Sequence, residues 1–226
     1  MYYSPYYNKR IDENYRAQQM NSYIRIFHAS PNAPAVDVYA NGNMLVKNLS
    51  YKKVSEYLPV SAGTYNIKVY PSGNMTNPVI NTTVSIPENS IFNVAVIGTL
   101  PNISLYPIPE PIMGQKFGRP CVRFVHLSPN APAVDILLAD GTKVFNNVSY
   151  KGITDYACIP AGTYTFKVNV AGTDNTALTV PNVRLNEDTF YTIYAVGLFG
   201  QSPPLEAVLL TEPRQQNEAN PVPTIY

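Results

Sequence analysis

Only two histidines occur in this 226-residue chain, His28 and His126, and each is followed nine residues later by an aspartate, Asp37 and Asp135. An imidazole and a carboxylate at fixed spacing are the raw material of a metal site or an acid–base pair. Here the count is too low for either. Zinc takes three or four protein ligands and calcium wants clustered oxygens, whereas each copy offers one His and one Asp with no shared third ligand. A triad needs a nucleophile beside an oriented base, and neither histidine has a distinctive partner beyond the aspartate. No G-x-S-x-G, P-loop, G-x-G-x-x-G or H-E-x-x-H stretch is present either. We therefore expect no enzyme activity, no cofactor and no metal.

The surrounding residues have a structural reading. Arg25 to Val38 reads R-I-F-H-A-S-P-N-A-P-A-V-D-V and Arg123 to Ile136 reads R-F-V-H-L-S-P-N-A-P-A-V-D-I, identical at ten of fourteen positions. Ser30-Pro31-Asn32, and again Ser128-Pro129-Asn130, are turn formers whose side-chain oxygens take backbone amides. Pro31 and Pro34 cannot continue a strand ladder, and they reduce the entropy lost on folding. Asp37 is then expected to accept amides from this loop or to hold His28 through an imidazole N–H. The same holds for Asp135 and His126, and the whole motif reads as a strand-to-strand staple.

Two other residue types carry possible chemistry. Cys121 and Cys158 occur only in the second copy, opposite Tyr23 and Pro59 of the first. A bridge across that separation of about 37 residues would contribute about 4 kcal/mol in the chain-entropy model; free thiols and a link between subunits stay open. Among 18 tyrosines, five lie before Ser22: Tyr2, Tyr3, Tyr6, Tyr7 and Tyr15. The pairs Tyr51/Tyr150, Tyr57/Tyr156 and Tyr65/Tyr164 are expected in cores or at sandwich edges. The arm tyrosines, and Tyr226 at the other end, are candidate assembly contacts. They can dock against another subunit, supply a strand to an open sheet edge, or be cross-linked by oxidation.

The elements that position these residues read as strands. Ile24, Ile26 and His28 alternate with Arg25 and Phe27, and Tyr65, Ile67 and Val69 alternate with Asn66 and Lys68, which is period-2 patterning. Further strands are expected over Ala35–Ala40, Met44–Leu49, Val54–Leu58, Val79–Ile86, Ile91–Gly98 and Ile103–Ile108. Asn41-Gly42, Asp140-Gly141 and the Ala-Gly pairs at 62–63 and 161–162 mark turns. Seven or eight short strands per copy predict an all-β chain of two tandem Ig-like antiparallel β-sandwich domains. The expected order is an arm over 1–21, a sandwich over 22–109, a linker over 110–120, a second sandwich over 121–213 and a tail over 214–226.

Composition excludes some partners. Charged residues are 14% of the chain and the formal net charge is +1, with no basic stripe, so no nucleic-acid footprint exists. No run of 18 apolar residues exists to span a membrane as a helix. The N-terminal residues lack a basic start followed by an apolar core, so cytoplasmic synthesis without a secretory leader is expected.

The string F-H-x-S-P-N-A-P-A-V-D-V, followed by A-G-T-Y-x-x-K-V and a later strand ending in Gly, resembles the bacterial family called domain of unknown function 4397. The resemblance covers roughly residues 22–212. It implies β-sandwiches that often occur in tandem and in cell-envelope and surface proteins. It supplies no catalytic residues. A Tyr-rich N-terminus is similar to that of proteins of the spore surface. The function expected is a self-assembling structural protein of a bacterial cell or spore surface, a spore coat or filament subunit whose arms contact other copies or other surface proteins. The alternative is an adhesin or glycan-binding module with its site on the loops at one sandwich end.

Overall fold

The computed structural model describes residues 21–111, 118–212 and 224–225. The first repeat comprises β1 (Asn21–His28), β2 (Val36–Ala40), β3 (Asn43–Leu49), β4 (Leu58–Ser61), β5 (Gly63–Pro71), β6 (Ile80–Ile86), β7 (Ile91–Thr99) and β8 (Asn102–Glu110). The second comprises β9 (Cys121–His126), β10 (Val134–Leu138), β11 (Lys143–Val148), β12 (Ala157–Cys158), β13 (Gly162–Val170), β14 (Thr176–Leu185), β15 (Phe190–Val196) and β16 (Glu206–Thr211), followed by β17 (Thr224–Ile225). The described residues are all-β, as the patterning predicts, and none of their helices is long and apolar enough to cross a membrane.

Each repeat is a two-sheet sandwich. In the first, an inner sheet of order β4-β1-β7-β8 faces an outer sheet of order β3-β2-β5-β6. In the second, the inner sheet is β12-β9-β15-β16-β17 and the outer one β11-β10-β13-β14. The type I′ turn demanded by a two-residue hairpin is met at Asn41 (φ 49°) and Gly42 (φ 83°), which join β2 to β3.

Three expectations change. The sandwiches are not wholly antiparallel: β1 runs parallel to β7, with Ile24 opposite Phe92, and β9 runs parallel to β15. The strand expected at 54–58 lies instead at Leu58–Ser61, with Val54 making an isolated bridge to Phe27. Pro59 is tolerated there because β4 is an edge strand. Glu110, assigned above to a linker, is the last residue of β8 and is buried.

Alternation along each inner strand feeds two cores. Ile24, Ile26, Val94 and Val96 point into the first sandwich with Val36, Val38 and Val69. Val122, Phe124, Ile193 and Leu209 do the same in the second with Ile136, Phe166 and Val168. The intervening residues form a third core between the two inner sheets: Phe27, Ala95, Ile97 and Ile108 meet Val125, Tyr194, Val208 and Leu210. The repeats thus form four stacked layers, outer–inner–inner–outer.

Candidate functional site

The repeated motif builds two equivalent clasps. His28 Nε2 donates to the Pro34 carbonyl at 2.9 Å, and His126 Nε2 to the Pro132 carbonyl at 3.1 Å. A carbonyl only accepts, so Nε2 carries the proton; the free Nδ1 of His126 takes the Ser128 amide at 3.3 Å. Burial holds both imidazoles below their usual pKa, partly offset by these backbone bonds. Ser30 Oγ donates to the Gly98 carbonyl at 2.8 Å, and the Leu100 amide donates to Asn32 Oδ1 at 3.0 Å. In the second repeat Asn130 makes both bonds of a clamp on Phe199. The S-P-N turn is therefore fastened to the turn after β7, or after β15.

That juncture requires glycine. Gly98 (φ 87°) and Gly197 (φ 89°) lie in the left-handed region. A Cβ on either would sit 2.4 Å from the Asn102 carbonyl oxygen or 2.0 Å from that of Pro204.

Asp37 does not hold His28, nor does it take amides from the motif loop. It accepts from the Asn48 amide (2.7 Å), the Gly73 amide (3.0 Å) and Ser72 Oγ (3.0 Å), tying β2 to the end of β3 and to the turn after β5. Asp135 repeats this with Asn147 (2.7 Å) and Gly172 (3.2 Å), and adds Lys143 Nζ at 2.6 Å. The β-strand direction explains the separation, since consecutive side chains leave opposite faces. Asp37 and Asp135 stand on the outer face of β2 and β10 while their neighbours Val36, Val38, Val134 and Ile136 fill the cores. Asp37 is held below its usual pKa by these hydrogen bonds against the opposing effect of burial. The Lys143 bond and the two amides pull Asp135 down to about 2. The motif residues are thus a scaffold, and among the described residues no group of three His, Cys, Asp or Glu is placed to hold a metal ion.

Sequence reading passed over a second constellation, the charged cluster between the inner sheets. Arg25 on β1 and Arg123 on β9 face each other across the third core with Glu110 and Glu212. Arg25 Nη2 lies 2.5 Å from Glu110 Oε1 and 3.7 Å from Glu212 Oε2; Arg123 Nη2 lies 3.3 Å from Glu212 Oε1. Each arginine also donates across the pseudo-symmetric interface, Arg25 to the Thr211 carbonyl (3.3 Å) and Arg123 to that of Pro109 (2.8 Å). Tyr57 and Tyr156 lie beneath the guanidinium groups, 4.7 and 4.9 Å from ring centre. Tyr57 also donates to Glu110, and Asn93 Nδ2 donates to Tyr194 OH at 2.9 Å.

Burial penalises every charge here. It pushes Glu110 up, with the Glu212 carboxyl adding to the shift and Arg25 opposing it, to about 8. Burial is the largest single effect on Arg25 and works against its charge, but Glu110, Tyr57, Glu212 and Tyr194 together outweigh it and keep the guanidinium charged. Burial raises the Tyr57, Tyr156 and Tyr194 phenols. Buried away from solvent, the cluster offers no access to a substrate, so its chemistry is to lock two domains at one registry. A visible signal was the near-continuous apolar runs I-F-N-V-A-V-I-G and F-Y-T-I-Y-A-V, the mark of strands buried on both faces. Arg25 and Arg123 sat in the motif, and Glu110 and Glu212 matched between repeats.

Cys121 and Cys158 form a disulfide, resolving the alternatives left open by spacing. It joins β9 to the two-residue β12 across a Cys121–Cys158 register pair. The arm tyrosines Tyr2, Tyr3, Tyr6, Tyr7 and Tyr15, and Tyr226, lie outside the described residues. The tail contributes one observation: Thr224 and Ile225 pair with Leu209 and Val208 and add a strand to the β16 edge.

Two open clefts run along the sides of the sandwiches. One of about 450 Å³ lies between β11 and the segment before β12, beside Lys143, Phe145, Asn146, Asp155 and Tyr156. Another of about 570 Å³ follows β6 and β8.

No curated protein matches the chain. Among solved structures, it is similar to the Bacillus anthracis TIE protein at 12% identity and TM-score 0.25, covering 80% of this chain but only 34% of that one. It is similar to CBMbc (family CBM26) from Eubacterium rectale Amy13K, solved with maltoheptaose, at 10% identity and TM-score 0.26, covering 92% and 96%. A third is a streptococcal virulence factor described for alpha-glucan binding, at 13% identity and TM-score 0.23, covering 78% and 92%. The family comparison is decisive: a model described as Domain of unknown function (DUF4397) matches residues 22–137 and 128–222, and the chain belongs to that family.

Proposed function

We propose that this protein is a non-enzymatic structural subunit of a bacterial cell or spore surface, a coat or filament component whose terminal segments join copies. The observation that carries this reading is the attachment of Thr224–Ile225 to the β16 edge. A terminal segment captured by main-chain pairing is a general coupling device, since an open edge presents unpaired amides and carbonyls to any extended strand. The four-layer body supports the same reading, because a buried interdomain core gives a block of fixed shape. Electron microscopy and sedimentation of the purified full chain, with and without residues 1–20, test it. Ordered particles or filaments that shorten or vanish on truncation are expected; monomers in both samples at high concentration would sink it.

A second reading, glycan binding, rests on the open cleft that Phe145 and Tyr156 line together with Lys143, Asn146 and Asp155. A glycan array read with the full chain decides it, and an array without hits ends it.

A further inference from the structure

The two repeats differ at one sandwich edge. In the second, the tail strand β17 lies beside β16. Counting back from the matched Glu110 and Glu212, the residues that receive it, Val208 and Leu209, correspond to Tyr106 and Pro107 of β8. Pro107 and Pro109 are spaced by two and therefore on one side of the strand, and the ladder with β7 continues through both. Having no amide to give, their nitrogens face the free edge and block pairing there. The neighbouring edge strand β6, I-N-T-T-V-S-I, has no proline. Between them runs the 570 Å³ groove, with Thr83, Ser85 and Ser104 on its rim and Val84, Val94 and Leu105 below.

Beneath the groove lies a wholly apolar cavity of about 50 Å³, also lined by Val84, Val94 and Leu105, together with Ile26 and Ile67. The second repeat carries Phe124 and Phe166 at the positions of Ile26 and Ile67, both fully buried. Space that the second repeat fills with its own rings is thus open in the first. A cavity without polar partners does not hold ordered water and favours an apolar guest.

We propose that this groove receives the N-terminal segment Met1–Tyr7 of a second copy, added as a strand to the open edge of β6 with one of its side chains entering the cavity. The inference deepens the assembly reading and rests on it. Chemistry matches: M-Y-Y-S-P-Y-Y carries no charged side chain, and neither do the groove residues. Chain length is enough to reach a second copy. β1 is two strands from β8, about 10 Å at ordinary strand spacing. The thirteen residues 8–20 include Lys9, Arg10, Asp12, Glu13 and Arg16 and extend to about 43 Å. A charged spacer of that reach can span solvent to a neighbour's groove, several times the distance to the chain's own.

The test uses full-length chains, since the native cysteines are paired. One preparation carries Tyr3→Cys and the other Thr83→Cys, and the mixture is oxidised and run on a non-reducing gel. A cross-link between the two chains is expected, reduced roughly tenfold or more by Ser104→Arg, an exposed rim change that leaves the cores alone. A third preparation carries both substitutions in one chain; absence of the cross-link in the mixture, or its formation only within the doubly substituted chain, overturns the proposal. Sedimentation of the unmodified protein separates the two readings. If it assembles without the cross-link, this inference fails and assembly stands; if it stays monomeric, both fail.

Discussion

The motif aspartates act through acceptor geometry. Asp37 satisfies three donors from two separate segments, and hydrogen bonds to a charged group contribute about 1.5–3 kcal/mol each. Asp37→Asn turns one acceptor into a donor facing the Gly73 amide, and a loss of about 2 kcal/mol is expected in urea denaturation at pH 7. The sign of the pH dependence follows from direction. Asp37 and Asp135 lie below the ordinary 3.8 when folded, so their stabilisation is complete above 3.8 and is lost as pH falls through the folded values, which for Asp135 is about 2. Glu110 behaves oppositely. Its folded pKa is raised from 4.5 to about 8, so the folded state binds the extra proton between those values and stability falls as pH rises through that window. The difference in unfolding free energy between wild type and Glu110→Gln, measured from pH 4 to 9, should decline across this range; a difference independent of pH would refute it. Gly98→Ala combines left-handed backbone with a Cβ 2.4 Å from a carbonyl, and a cost of at least about 2 kcal/mol is expected from chemical denaturation.

At the level of elements, the two repeats solve the same edge differently. In the second, the Cys121–Cys158 bridge fastens the short β12 to β9, where the first pairs a longer β4 through four registers. Opening the bridge restores chain entropy to a loop of 37 residues, worth about 4 kcal/mol. A matching drop in stability is expected when thermal unfolding is repeated with a reductant. The hinge of the motif is local: the histidine clasp and the Ser/Asn clamp fix the path from β1 to β2, and from β9 to β10, against the turn that follows the parallel partner strand.

The whole molecule is held by a core that belongs to neither repeat. Phe27 and Tyr194 pack at 5.1 Å between ring centres across it, and Lys52 pairs with Glu206 at its rim. Buried charge pairs add little beyond an apolar isostere, but removing one partner strands the other. Arg25→Met leaves Glu110 and Glu212 facing each other without the cation nearest Glu110, and a loss of about 3–5 kcal/mol is expected. The interface also couples the repeats, so calorimetry of the full chain should show one cooperative transition rather than two. Two separated transitions would mean that the third core contributes little.

Repetition and alternation were enough to establish two all-β sandwiches, their strand order along the chain, and the turn at Asn41-Gly42, whereas Ala62-Gly63 proved to be a one-residue bend that carries the chain from β4 of one sheet into β5 of the other. These are local properties, carried by period and by backbone preference. The repeated motif was half legible, because its loop could be read but the partners of Asp37 lie 11 and 36 residues away. The parallel placement of β1 beside β7 and the arginine–glutamate cluster between repeats depend on which faces meet, and alternation only says that a strand has two faces. Alternation put Arg25 and Phe27 on one side of β1; the stacking of a second inner sheet on that side made it the centre of the molecule.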